Sequence, residues 1–269
     1  MPFYHILILA LIQGISEFLP ISSSGHLVLS HHLLGNGGHD LCWQQNRMLD
    51  VAVHFGTLLS VLLYFRKDLL KMAIGCGRFD KKQGSLVLYI VIASIPVVIA
   101  GFILQMLQPS LLCMIEVMAW MTLIFGGLLY FADRSPTSKT LDQMTISNSL
   151  FIGLSQALAL IPGVSRSGIT MTTARFFGYS RTEAAKFSLL LSIIAISGAG
   201  FLSGLDLFQS GDLSFGIDIL TAIALSFIAG YIAIALMMKW LSKATFIPFV
   251  IYRVLLGVLL LGLIYSGVL

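Results

Sequence analysis

The chain has 269 residues, of which 57% are hydrophobic and only 10% charged, and its mean hydropathy is +0.94. A soluble domain carries roughly a quarter charged residues, so composition excludes one and implies a polytopic membrane protein. The formal charge of +4 is no nucleic-acid signature, because the basic residues gather in a few connections rather than on one face.

The first Lys or Arg is Arg47, so the N-terminus lacks the basic flank of a cleaved signal peptide and is expected to belong to the mature fold. Residues 4–15 and 27–34 are apolar but too short to cross a bilayer, which takes about 20 residues. Between them lies Pro20-Ile21-Ser22-Ser23-Ser24-Gly25. The economical reading is a helix–break–helix hairpin that enters the membrane and leaves on the same side. Three predicted spans follow, at 51–65 (extended backwards through Met48 and Leu49), 86–107 and 111–132. The connection after the first carries Arg66, Lys67, Lys71, Arg78, Lys81 and Lys82. The connection around Gln108-Pro109-Ser110 carries no Lys or Arg.

Residues 133–148 are polar and link two halves. The second half repeats the order of the first: short apolar pieces at 149–161 and 169–177 flank another Ser/Gly/Pro cluster, and spans are predicted at 184–205, 217–238 and 247–266. Gln13 to Gly25 overlies Gln156 to Gly168 without a gap, matching Ser22 to Ser165 and Ser24 to Ser167; Gly35 falls on Gly178. The expected fold is therefore all-α, with two repeats (about 1–132 and 149–269) in a single membrane domain. Each repeat is a re-entrant hairpin plus three transmembrane helices.

An odd number of crossings per repeat makes the second inverted relative to the first. Charge agrees. Basic connections stay cytoplasmic, so 51–65 must run inward, whereas 184–205 must run outward to reach Asp206, Asp212 and Asp218. Both termini are then outside. Cys42, Cys76 and Cys113 fall outside, inside and within the membrane, so no disulfide is expected, and the absence of CxxC spacing gives no metal signal. Ser197-Gly198-Ala199-Gly200 reads as either a loosened stretch of helix or a small-residue packing face.

Duplicated breaks in membrane helices mark a binding site near the midplane. Glu17 follows Gln13 by four residues, on the same helix face, and an ionisable group at this depth has a functional role as its default reading. Ser22, Ser23, Ser24 and Gly25 start the next half-helix, where free amides and the helix dipole favour phosphate. His26 can exchange a proton near neutral pH. In the second break Arg166 stands between Ser165 and Ser167, with Gly168 and then Thr170 one turn on: a fork plus hydroxyls suited to phosphate oxygens. The alternatives are a hydrogen-bonded knot filling the first break and an arginine snorkelling to the interface. Arg253, within the last span, is expected to touch a substrate phosphate or to pair with a carboxylate. Asp50 and His54 share a helix face and read as a metal pair or a satisfied interface pair. Glu116 reads as a structural contact, and His5, His31 and His32 as interfacial. No nucleotide-binding glycine loop, His-Glu-x-x-His pair or nucleic-acid face is present.

The motifs Gln13-x-x-x-Glu17-Phe18-Leu19-Pro20-Ile21-Ser22-Ser23-Ser24-Gly25-His26 and Pro162-Gly163-Val164-Ser165-Arg166-Ser167-Gly168, with a looser match from Phe246 to Arg253, resemble the bacterial undecaprenyl-diphosphate phosphatases of the bacitracin-resistance type. The resemblance spans essentially the whole chain. It implies removal of the terminal phosphate from undecaprenyl diphosphate, recycling the cell-wall lipid carrier in the bacterial plasma membrane, with an active site open to the outer face. It also implies a divalent cation, Mg²⁺ or Ca²⁺, and essential roles at Glu17, Ser23, His26 and Arg166. Many relatives have Glu where this chain has Gln13, so Glu17, with Gln13, would hold the metal alongside the substrate's phosphates. Either Ser23 or a water attacks, and either Glu17 or His26 takes the proton. Expected partners are the polyprenyl diphosphate and membrane lipid, with a homodimer allowed. A transporter or flippase of an anionic or lipid-phosphate substrate is the second reading.

Overall fold

The computed structural model describes residues 3–33, 47–77, 81–107, 112, 114–210 and 216–267. Gly35, Cys42, Arg78, 108–110, Cys113 and Asp212 lie outside the described residues, as do the side chains of Ser24, His31, His32, Cys76 and Asp206. Eleven α-helices are described: α1 (Phe3–Ser16), α2 (Ser23–Leu33), α3 (Arg47–Tyr64), α4 (Arg66–Gly77), α5 (Lys81–Leu107), α6 (Ile115–Asp133), α7 (Ile146–Ala157), α8 (Arg166–Phe176), α9 (Arg181–Ser210), α10 (Ile217–Leu241) and α11 (Ile247–Tyr265). Among the described residues there is no strand.

Five helices, α5, α6, α9, α10 and α11, are long and apolar enough to cross a membrane. A sixth is reached when α3 and α4, which bend by 71° at their junction, are counted together as one broken span. The predicted spans are thus all present, with ends displaced by a few residues, because a helix continues hydrogen bonding past the apolar slab that hydropathy measures. One expectation needs correcting. The basic connection after residue 65 begins as a helix: α4 is amphipathic, with Leu69 and Met72 against the core and Leu70 and Ile74 exposed. A second correction concerns Ser197-Gly198-Ala199-Gly200. Helix α9 runs unbroken through it, and no described atom comes close to Gly198 or Gly200.

The two halves obey one pattern. Helices α1 and α7 begin 143 positions apart, and α2 and α8 both begin and end 143 positions apart. Packing follows the same exchange: α1 lies on α10 as α7 lies on α5, while α3 meets α9 and α6 meets α11 across the pseudo-symmetry axis. Among the described residues α4 has no counterpart. Within each hairpin the half-helices pack on each other, α1 on α2 and α7 on α8.

In lipid, close helix contact depends on small residues, because apolar side chains gain little by leaving hydrocarbon for protein. Helix α3 meets α10 through Gly56 and Ser60 against Ser226 and Gly230; a Cβ on Gly56 would overlap the Ser226 hydroxyl. The main core, including Phe18, Val61, Phe187, Leu189 and Ile234, fills the space between α3, α8, α9 and α10. Outward faces such as Ile95, Ile99 and Phe102 on α5 or Leu255 and Val258 on α11 remain exposed, as lipid-facing surfaces must.

One end of the bundle is polar and tightly tied. Asp133, closing α6, accepts from Arg181 Nε at 2.5 Å and from the Phe246 amide at 3.0 Å. The buried Arg175 donates to the Asp133 and Ser135 carbonyls and to Thr137 Oγ1, pinning the 133–148 linker to the end of α8. Lys186 on α9 reaches Asp68 at the start of α4 at 2.5 Å. The end of α3 and the start of α9 therefore share one side, as opposite running directions require.

Candidate active site

Each helix break is built by residues that cannot continue a helix. In the first, Glu17 N still bonds Gln13 O at 3.0 Å, but Pro20 has no amide to give, and Ser22 takes φ +75°. In the second, α7 tightens into a 3₁₀ turn over Leu158–Leu160, Pro162 follows, Gly163 takes φ +93° and Ser165 takes φ +72°. Only Gly fits at 163, because a Cβ there would overlap the Met118 carbonyl. Among the described residues Ser22 and Ser165 are the non-glycine residues at positive φ, and they occupy equivalent positions. Strain of this kind, about 1–3 kcal/mol each, concentrates at functional sites.

The strained serines place Ser23 and Arg166 as the first residues of α2 and α8. These two are also repeat equivalents, and they converge on one carboxylate. Ser23 Oγ donates to Glu17 Oε2 at 2.7 Å, and Arg166 Nη2 donates to Glu17 Oε1 at 2.9 Å. Gln13 Nε2 adds a third donor to Oε2 at 2.9 Å. Arg166 Nη1 is held by the Ser188 carbonyl at 3.0 Å. Glu17 and Arg166 are 8% and 13% exposed, so water screens the pair poorly. The carboxylate rests beside the N-terminal residues of two half-helices, where amides and dipoles favour an anion.

Other predicted site residues lie differently. Ser165 Oγ accepts the Gly168 amide at 3.1 Å, capping α8. Ser167 Oγ donates to the Leu19 carbonyl at 2.8 Å, fastening the second break to the first. Thr170 is buried, with its hydroxyl on Ser188 Oγ at 2.7 Å. These three hydroxyls fasten the breaks and their half-helices to the scaffold. Gly25 and Gly168 are buried at the starts of their helices. A Cβ on Gly168 would press on Ser165 and on Arg253 Nη1, at 3.0 Å each.

Arg253 pairs with no carboxylate, contrary to one of the two expectations for it. It is fully buried, and its donors end on carbonyls: Nε on Thr122 at 3.1 Å, Nη1 on Pro20 and Val164 at 3.3 and 3.0 Å, Nη2 on Met121 and Gly163 at 3.4 and 2.8 Å. All five N–H groups are used. The carbonyls freed by both breaks are what this arginine satisfies.

Both ring nitrogens of His26 are engaged by groups other than Ser23. Its Nδ1 lies 2.6 Å from the Ser22 carbonyl and its Nε2 lies 2.5 Å from Tyr252 Oη. A shallow cleft opens beside it, lined by Gly25, His26, Leu29, Met118, Leu256 and Leu260. His54 bonds the backbone carbonyl of Asp50 at 2.7 Å, an ordinary i−4 contact rather than a metal pair. Glu116 accepts from Tyr265 at 2.8 Å, a structural contact as expected, whereas His5 is buried rather than interfacial. Sequence reasoning missed Tyr252 and Ser188. Tyr252 adjoins Arg253 in the looser motif, which was its one available signal; Ser188 left none.

No three His, Cys, Asp or Glu side chains converge among the described residues. One feature does suit a hard cation: Gln13 Oε1 is buried without a hydrogen-bond partner, on the side chain that also touches Glu17. An orphaned amide oxygen next to a carboxylate is the oxygen donor set that Mg²⁺ or Ca²⁺ prefers.

The family model described as bacitracin resistance protein BacA matches residues 6–259. An undecaprenyl-diphosphatase of Teredinibacter turnerae is 46% identical, over 97% of this chain and 98% of its own length. Those of Hahella chejuensis and Jannaschia sp. are 45% and 44% identical, each over at least 98% of both chains. With a membrane bundle, two facing helix breaks and this coverage, the chain belongs to the bacitracin resistance protein BacA family.

Proposed function

We propose that this protein removes the terminal phosphate of undecaprenyl diphosphate, releasing phosphate and returning undecaprenyl phosphate to the cell-wall lipid carrier pool, with bacitracin resistance as the consequence. The observation that carries this reading is the meeting of Ser23 and Arg166, from opposite breaks, on the Glu17 carboxylate. The nucleophile and the phosphate receptor each stand within hydrogen-bond reach of the proton acceptor, the geometry general-base catalysis requires.

Glu17 occupies the place where an anionic phosphoryl group would be most stable. As the terminal phosphate enters, the Arg166 fork transfers from the carboxylate to phosphate oxygens and carries their developing charge. Glu17, released from Arg166 and already 2.7 Å from Ser23 Oγ, takes the hydroxyl proton. The Ser23 oxygen then bonds to phosphorus as the bridging P–O bond breaks, and undecaprenyl phosphate leaves. Water cleaves the phosphoserine, completing hydrolysis. In the direct alternative, a water beside Ser23 attacks and Glu17 takes its proton. Either way, geometry favours Glu17 over His26 as the base. Gln13 Oε1 and Glu17 would hold Mg²⁺ or Ca²⁺ together with the diphosphate, and the cation supplies neutralisation of phosphate charge. The site is read as open to the outer face of the plasma membrane, with the prenyl chain in lipid.

The transporter reading accounts for inverted repeats but gives the Ser23–Glu17 contact nothing to do. Detergent-purified protein is incubated with undecaprenyl diphosphate and free phosphate is assayed with and without chelator. Chelator-sensitive release is expected; substrate binding without release would instead support transport.

A further inference from the structure

A backbone carbonyl only accepts, so the 2.6 Å contact between His26 Nδ1 and the Ser22 carbonyl fixes the proton of the neutral ring on Nδ1. Nε2 is then a lone pair, and Tyr252 Oη, 2.5 Å away, donates to it. The two rings lie nearly parallel, at 15° with centroids 5.6 Å apart. Neither end of this chain is free to drift. The positive φ of Ser22 aims its carbonyl. Arg253, the next residue after Tyr252, clamps α11 against the Pro20 and Val164 carbonyls and so fixes the helix's rotation. The imidazole lines the cleft together with Leu29, Met118 and Leu256.

We propose that Tyr252 is a positioning residue of the reaction: with the Ser22 carbonyl at the other ring nitrogen, its hydroxyl holds the His26 imidazole in place, as the Nδ1–H tautomer, at the wall of the cleft. The assignment rests on the hydrolase reading above.

The test compares wild type, Tyr252→Phe, His26→Gln and the double variant, all purified in detergent and assayed on undecaprenyl diphosphate. Loss of one positioning hydrogen bond should lower kcat of Tyr252→Phe about tenfold, with KM within about twofold. In the His26→Gln background the same change should cost nothing further. In protein labelled with ¹⁵N-histidine, the resonance missing from His26→Gln identifies His26. Tyr252→Phe should displace its Nε2 signal while Nδ1 stays protonated. The proposal is overturned if Tyr252→Phe keeps kcat within about twofold of wild type, or if its loss recurs undiminished in the double variant, as a general folding defect would. A wild type that releases no phosphate would instead remove the hydrolase reading, while the Nε2 signal still reports whether the tyrosine–histidine bond exists.

Discussion

Arg166 illustrates why a charge alone does not make a phosphate receptor. Its guanidinium spans two acceptors, Glu17 Oε1 and the Ser188 carbonyl, and so stays aimed into the break after one of them is exchanged for substrate. A lysine ammonium is a point charge on a flexible stem and cannot keep one contact while trading the other. Arg166→Lys is therefore expected to lose most activity, at least about tenfold, the cost of one charge-assisted bond. Hydrolysis of a prenyl diphosphate within about threefold of wild type would remove the assigned role. Ser23→Ala separates the two attack routes. If Ser23 only positions a water, loss of its hydrogen bond costs about 1–3 kcal/mol, or roughly a factor of 5 to 150 in rate. If its oxygen bonds to phosphorus, turnover should vanish while substrate binding persists through Arg166. The Glu17 contact favours the second outcome, and a phosphoserine trapped by rapid acid quench would establish it. A loss inside that window with no trapped phosphoenzyme would count against Ser23 as nucleophile.

The broken half-helices are the elements on which the site depends, and one residue holds both open. Breaking α1–α2 and α7–α8 frees carbonyls that lipid cannot solvate; Arg253 satisfies those of Pro20, Gly163 and Val164 together with Thr122 and Met121 on α6. Arg253→Met should take this donor from the Pro20, Gly163 and Val164 carbonyls and destabilise the fold by about 1–3 kcal/mol for each acceptor left unpaired. The expected signature is early thermal unfolding in detergent, with or without phosphate. A variant as stable as wild type but with raised KM would restore the substrate contact that the sequence suggested. The breaks were legible in the sequence because Pro, Gly and Ser interrupt apolar tracts twice at one spacing, and the spans were legible because each needs its own apolar run. Arg253's role was not legible, since carbonyls freed by a break leave no mark in side-chain identity. The aim of Thr170 at Ser188 depends on the rotation of α8, which periodicity cannot fix when nearly every face is buried. Helix α4 was hidden by its lysines, which mask an amphipathic pattern of Leu69, Met72 and their neighbours.

At the scale of the whole molecule, inversion places the two helix starts opposite each other. Two half-helices entering from the same side would present the same face to a ligand; entering from opposite sides, Ser23 and Arg166 can share one carboxylate although they occupy the same position in their repeats. The duplication has since diverged, so that equivalent positions do different chemistry and, among the described residues, α4 exists in one repeat only. Inversion also fixes which side each connection must occupy. The linker, the start of α9 and the start of α4 are tied together through Asp133–Arg181 and Lys186–Asp68, so they lie on one side of the membrane. The basic residues Arg66, Lys67, Lys71 and Lys139 belong to that side by sequence, and the positive-inside rule predicts that it is cytoplasmic. On that prediction Gly216, which precedes α10 beyond the far end of α9, is expected outside. Single cysteines at positions 139 and 216, in a background lacking Cys42, Cys76 and Cys113, test this with a membrane-impermeant thiol reagent on intact cells. Position 216 should label at once, and position 139 only after permeabilisation. The opposite pattern would turn the molecule over, present the site to the cytoplasmic leaflet, and require the diphosphate to be supplied from within the cell.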